Sequence, residues 1–263
     1  METVNDLDGR VAIVTGGSAG VGFGIATMLA AHRAHVVIAA RQKDRVQRSV
    51  ATLRQNYGED AVIGVSADVT SIADIKGIVE TAMRTWGKID ILVNNAGAPA
   101  HVPFFESGDE AWQSDIELKL LAAVRLSRLV IPHMRRQGGG RIVNILSGGA
   151  KVQPAGSAPT SVTRAAGLAL TKVLSKEFAA DRILVNAVLI STVKSEQWER
   201  RWVKEGREGT IDEFYAHLSR NIPLGRFAEP VEVGELVAFI VSDRGSYMTG
   251  SSICMDAGAS PLI

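Results

Sequence analysis

VAIVTGGSAGVGFG, Val11 to Gly24, is the stretch that decides the fold. Val11 to Thr15 is apolar or β-branched at every position, which suits a strand covered on both faces rather than one with a wet side. It runs directly into a glycine-rich turn, and Val21 to Arg33 then reads as a helix. Working outward, the same kind of run returns at Val36 to Ala40, Ala61 to Ala67, Ile89 to Asn95, Arg141 to Leu146, Ile183 to Ile190 and Ser252 to Met255. Helical patterns lie between them, among them Ile72 to Trp86, Ala111 to Arg136 and Val162 to Ala180. Strands separated by helices imply parallel crossovers, so the expected fold is doubly wound α/β: a mostly parallel sheet of seven strands with helices on both faces.

The turn after the first strand carries Gly16, Gly20 and Gly22. Glycine permits a tight turn there and lets backbone N–H groups approach a pyrophosphate at the positive end of the following helix. The pattern is weak in isolation, but its place at the first strand of a βαβ unit points to dinucleotide binding. At the end of the second strand the chain has Ala40 and Arg41 where an acidic side chain would accept a ribose 2′-hydroxyl. An arginine pairs instead with a 2′-phosphate, so NADP(H) is expected in preference to NAD(H). The other reading of Arg41 is a solvated residue at a helix start, and no basic residue stands at Ala19 inside the turn to decide between them.

The totals exclude several classes. The chain has 263 residues, 46% hydrophobic and 22% charged, so residues 1–263 are expected to form one unit. Its 29 basic and 28 acidic side chains leave a formal charge of +1, which offers no general attraction to nucleic acid or anionic lipid. Cys254 is the only cysteine, and His32, His35, His101, His133 and His217 are scattered, so neither an internal disulfide nor a metal site is expected. The acidic start METVNDLDGR lacks the order of an export signal and no apolar run approaches the ~20 residues of a membrane span; a cytoplasmic location fits. One long segment, at about 191–230, departs from the strand and helix rhythm and contains Trp198, Trp202, Phe214 and Tyr215. It reads either as a lid or substrate loop or as a helical hairpin packed on the rim or on a neighbouring subunit.

Thr15, Gly16, Gly20 and Gly22, then Asp68, then Asn94, Asn95, Ala96 and Gly97, together resemble the short-chain dehydrogenase/reductase family. The resemblance continues through RIVNILS, VNAV at Val185 to Val188 and CMDAG at Cys254 to Gly258, and so covers nearly the whole chain. It implies a Rossmann-type fold, with Asp68 and Val69 beside the adenine, Ser18 and Val21 in the glycine turn, and Asn95, Ala96 and Gly97 supporting the cofactor. Ser195 would help to hold the cofactor at its other end. It also implies a homodimer or homotetramer paired through the helices of Ala111 to Arg136 and Val162 to Ala180, acting on a small-molecule substrate.

The family's catalysis rests on a serine, a tyrosine, a lysine and an asparagine. Ser147 matches the serine, but thirteen residues on stands Thr160 in place of the tyrosine, and four further Arg164 in place of the lysine. The asparagine position, seven residues after Trp112, holds Lys119, and Ile190 and Ser191 replace the proline and glycine that follow the sixth strand. A phenol with a pKa of about 10 can be tuned into a general acid, whereas the threonine hydroxyl can only hydrogen-bond or relay. Arg164 keeps a positive charge that can hold ribose hydroxyls but does not ionise in a proton relay. Lys119, close to Arg164 and shielded from water, would have its pKa lowered toward that of a useful acid; alternatively it fills space and pairs with Glu117 or Asp115. Three functions therefore stand: an NADP(H)-dependent oxidoreductase of carbonyls and alcohols with an atypical site, a cofactor-binding isomerase, lyase or cyclase, and a non-catalytic dinucleotide-binding homologue.

Overall fold

A computed structural model describes residues 6–206 and 208–261. The segment METVN, read above for the absence of an export signal, lies outside them. Strands β1 (Val11–Thr15), β2 (His35–Ala40), β3 (Val62–Ser66) and β4 (Ile91–Asn94) alternate with helices α1 (Gly20–Ala31), α2 (Lys43–Tyr57) and α3 (Ile72–Trp86). The short strand β5 (His101–Val102) precedes α4 (Asp109–Ile116) and α5 (Ala122–Arg136). Then come β6 (Gly140–Ser147), the short β7 (Ala158–Pro159), α6 (Thr160–Glu177), β8 (Ile183–Ile190), α7 (Glu196–Lys204), α8 (Ile211–Ser219), α9 (Pro230–Val241) and β9 (Ser252–Met255).

Seven strands form one sheet in the order β3-β2-β1-β4-β6-β8-β9, and every neighbouring pair is parallel. The apolar runs follow from its two covered faces. Val11 and Ile13 enter a core with Ile75 and Ile78 of α3 and Leu126 and Met134 of α5. Ala12 and Val14, pointing the other way, meet Ile25 and Leu29 of α1 and Val233 and Val237 of α9. Helices α1 and α9 approach backbone to backbone: a Cβ built on Gly24 would lie 2.4 Å from the carbonyl of Pro230. Local signals set the helix ends, as in α3, where the Ser71 hydroxyl accepts the Asp74 N–H and Gly87 closes the helix in the left-handed region.

Two features depart from the sequence reading, and a third fills in a segment that it left open between two alternatives. The helix expected over Ala111 to Arg136 is interrupted by a π-turn at Glu117–Leu121, which separates α4 from α5. Such a turn inserts an extra residue into the helix, and here it contains Lys119, a charged side chain that faces the interior. The pair β5 and β7 forms a small antiparallel sheet outside the main one, with His101 opposite Pro159 and Val102 opposite Ala158. The segment at 191–230 contains α7 and α8, and Trp198 and Tyr215 join a small core there. Tyr215, Ile222 and Phe227 are buried with Trp198, Ile211 and Leu218 against them. The Phe227 ring meets Tyr215 and Trp198 edge-on, with centroids 4.9 and 5.1 Å away.

Candidate active site

Parallel strands end at one edge of the sheet, and the loops leaving β1, β4, β6 and β8 converge there. In the first loop Gly16 and Gly20 have φ of +66° and +50°. Gly22 has no room for a side chain: a Cβ would lie 2.2 Å from the Gly16 carbonyl oxygen. The Thr15 hydroxyl accepts the N–H groups of Asn95 and Ala96 at 3.0 and 3.1 Å, while Asn95 Nδ2 donates to the Thr15 carbonyl at 2.9 Å. The glycine turn and the Asn95–Gly97 turn are thus tied into one floor, and α2 closes its side through the Ser49 hydroxyl, which donates to the Ser18 carbonyl.

Around β2 and β3, Arg41 is exposed at the strand end, and its carbonyl accepts the Ser66 hydroxyl. Asp68 accepts both the backbone N–H and the hydroxyl of Thr70. The Thr70 N–H is the main reason its carboxyl lies below the ordinary value, and the charge of Arg41 adds to the effect. Val69 is buried, and Val21 is half-buried at the start of α1. Ser195 precedes α7, and its Cβ lies 3.5 Å from where a Cβ on Gly20 would stand. The backbone of Ser195 is bracketed by the Tyr215 hydroxyl, which donates to its carbonyl and accepts its N–H, each at 3.3 Å.

At the ends of β6 and α6 the structure brings Lys119 and Thr160 into direct contact. The Thr160 hydroxyl accepts from Lys119 Nζ at 2.6 Å and from the Ala100 N–H at 2.9 Å. Lys119 also donates to Asp115, four residues earlier on the same helical face, and the Thr163 hydroxyl donates to the other oxygen of that carboxylate at 2.5 Å. The Lys119 side chain is wholly buried and that of Asp115 is 3% exposed. Burial holds the ammonium below the ordinary lysine value; the Asp115 hydrogen bond opposes this, and the positive charge of Arg164 reinforces it.

Arg164 Nη1 donates to the Ile145 carbonyl at 2.9 Å, and its guanidinium underlies Gly97, where a Cβ would lie 2.6 Å from Nη2. Burial brings its pKa down to about 10, with Asp115 working in the opposite direction. Among the described residues Arg164 Nε and Asn94 Oδ1 have no protein partner, and both residues border a cavity of about 20 Å³ shared with Thr15, Lys119 and Asn144. That volume holds one water. Ser147, at the end of β6, keeps some exposure, and Gly149 leaves space beside it: a Cβ there would lie 3.3 Å from Ser147 Oγ.

This chain has many relatives. A family model described as enoyl-(acyl carrier protein) reductase matches residues 16–260. A dehydrogenase/reductase SDR family member 4 from Caenorhabditis elegans is 34% identical over 96% of this chain and 95% of its own. The chain belongs to the short-chain dehydrogenase/reductase family. Among solved structures, the L-sorbose reductase of Gluconobacter frateurii, complexed with NADPH and L-sorbose, superposes with a TM-score of 0.93 at 34% identity, covering 99% of this chain and 100% of that one. An NADPH-bound short-chain oxidoreductase from Pseudomonas aeruginosa PAO1, described as containing an atypical catalytic center, gives 0.91 at 33% identity, covering 98% and 99%.

As a short-chain dehydrogenase/reductase, the protein presents several site neighbours that its sequence did not single out. Asp115 entered only as one of two possible partners for Lys119, although the spacing of four residues on a helix is the signal that selects it over Glu117. Glu117 instead pairs with Arg125 at 2.6 Å. Thr163, three residues after Thr160, lies one helical turn on and faces the same cluster. His101 reaches the cluster through the β5–β7 pair; burial and then the charge of Lys119 lower its pKa. Its sequence neighbours give no hint of that position. Among the described residues no cluster of potential metal ligands occurs, and no helix is long and apolar enough to cross a membrane.

Proposed function

We propose that this protein is an NADP(H)-dependent oxidoreductase that interconverts a carbonyl and an alcohol on a small molecule, with Lys119 and Thr160 supplying the proton. The observation that carries the reading is the buried hydrogen bond from Lys119 Nζ to the Thr160 hydroxyl. That hydroxyl already accepts from two donors and lies in a buried position, so what it has left to offer a substrate oxygen entering the site is its own proton.

The residues present fit a dinucleotide. The left-handed Gly16 and Gly20 backbone and the crowded Gly22 position form a cradle that side chains would fill. Gly16, Ser18, Gly20 and Val21 would line the pyrophosphate; Asp68 and Val69 would border the adenine, with Arg41 on the 2′-phosphate. Asn95, Ala96 and Gly97 would support the ribose and nicotinamide, together with Arg164 and Ser195. When bound in its reduced form, the cofactor supplies a hydride to the carbonyl carbon. Ser147 donates a hydrogen bond to the substrate oxygen and orients it. Thr160 passes its hydroxyl proton to that oxygen and takes one from Lys119, whose ammonium becomes neutral. Arg164 remains charged, favours that loss from Lys119 and holds the floor beneath Gly97. Asp115 keeps Lys119 in place and offsets part of its charge.

The L-sorbose reductase and the Pseudomonas oxidoreductase are both NADPH complexes, which supports the same cofactor here. Exposed Val162 and Val173 on α6 support pairing of two copies through α5 and α6. Complete burial of Lys119 favours a second reading, a dinucleotide-binding protein in which the Lys119–Asp115 pair is structural and no hydride moves. Titration with NADPH and NADH, followed by turnover assays on a panel of ketones and sugars, separates them. Tight NADPH binding with carbonyl reduction supports the oxidoreductase; tight binding without any redox turnover leaves the second reading.

A further inference from the structure

The glycine turn has a neutral corner at Ser18 and Ala19, so Arg41 has no cationic companion inside it. The structure places another arginine at the rim. Arg45 is four residues before Ser49 on α2, one helical turn back along the face whose Ser49 hydroxyl is bonded to the Ser18 carbonyl. From there Arg45 Nη1 reaches Glu196 Oε2 at 2.8 Å. Glu196 opens α7 and directly follows Ser195, which sits against Gly20. The ion pair therefore spans the glycine turn, joining the helix that follows Arg41 to the segment that covers the turn.

We propose that Arg45 is the second cation for the cofactor's 2′-phosphate and that Glu196 competes with that phosphate for it. The inference rests on the NADP(H) reading of Arg41. In the unliganded protein Glu196 holds Arg45; a 2′-phosphate draws it away, and a cofactor with a free 2′-hydroxyl leaves the pair intact. Three features permit the exchange. The side chains are 32% and 37% exposed, so the pair is hydrated and weak. A phosphate carries more charge than a carboxylate and accepts a bidentate guanidinium. Glu196 is not stranded when Arg45 leaves, because Arg200 stands 3.7 Å away on the next turn of α7. Glu196 thus sets cofactor discrimination without touching the cofactor, and α7 is released from α2 only when the phosphate-bearing form binds.

The test is the dissociation constants of NADPH and NADH, measured by fluorescence titration at fixed salt on the full chain and on Arg45→Gln and Glu196→Gln. Loss of one charge-assisted hydrogen bond to phosphate corresponds to about a tenfold change. Arg45→Gln is expected to weaken NADPH about tenfold and NADH less than twofold, and Glu196→Gln to tighten NADPH severalfold with NADH unchanged. Equal weakening of both cofactors by Arg45→Gln, no effect of it, or weaker NADPH binding in Glu196→Gln would overturn the exchange while leaving the NADP(H) preference standing. Wild-type protein that binds NADH as tightly as NADPH would remove that preference and the exchange together.

Discussion

Replacing Asp115 by asparagine keeps the shape of the side chain and an acceptor for Thr163 but removes the carboxylate bonded to Lys119. The ammonium is then buried with no counter-charge, since the lysine side chain has no exposure. Breaking a buried pair from one side costs about 3–5 kcal/mol. The lysine limits the penalty by losing its proton: from an ordinary value of about 10.4, being neutral at pH 7 costs about 3.4 units, or about 4.6 kcal/mol. Wild-type Lys119 already lies below the ordinary value, and the variant should push it lower still. Where the folded pKa is depressed below the unfolded one, the unfolded chain binds more protons, so stability rises with pH through the whole interval between the two values. Asp115→Asn should therefore be several kcal/mol less stable than wild type at pH 7 and should recover relative to it by up to about 1.4 kcal/mol per pH unit until the wild-type Lys119 value, itself below the ordinary one, is reached. Urea unfolding at pH 7, 8 and 9 on both proteins reads the difference directly. A deficit that stays constant across that range would refute the claim that Lys119 is a buried ammonium held by Asp115.

Two other changes probe the floor and cover of the site. Gly22→Ala places a methyl where only 2.2 Å separates it from the Gly16 carbonyl, so the turn must shift. The expected outcome is a loss of about 1–3 kcal/mol in urea unfolding together with loss of NADPH binding in a fluorescence titration. Tyr215→Phe removes the hydroxyl that brackets Ser195 while leaving the ring against Phe227. It should cost about 1 kcal/mol of stability and weaken NADPH severalfold, read by the same titration, because the Ser195 segment loses its fixed path.

The sheet was legible in the sequence because burial on both faces writes strands as unbroken apolar runs; Val11 to Thr15 is one, and its neighbours Val36 and Ile91 are others. Helix α2 was less legible because Lys43–Tyr57 is largely polar and turns only Val46, Ser49 and Leu53 inward. The glycine turn could be read because crowding at Gly22 and positive φ at Gly16 and Gly20 admit few residues. The contact between Lys119 and Thr160 could not, since 41 residues separate them and the β5–β7 pair that brings Ala100 and Thr160 together is only two residues long. Tyr215 was noticed as part of an aromatic group, but its hydroxyl's hold on Ser195 depends on how α8 folds back over α7.

In the proposed mechanism the Thr160 hydroxyl carries the proton that Lys119 supplies. Single-turnover reduction of an accepted carbonyl substrate by the NADPH complex, followed by loss of nicotinamide absorbance in wild type and Thr160→Val, tests it most directly. General-acid catalysis contributes about 10²–10⁴-fold, so the variant should bind NADPH normally and reduce the substrate slower by about that factor. Wild-type rates in Thr160→Val would exclude that role for the hydroxyl.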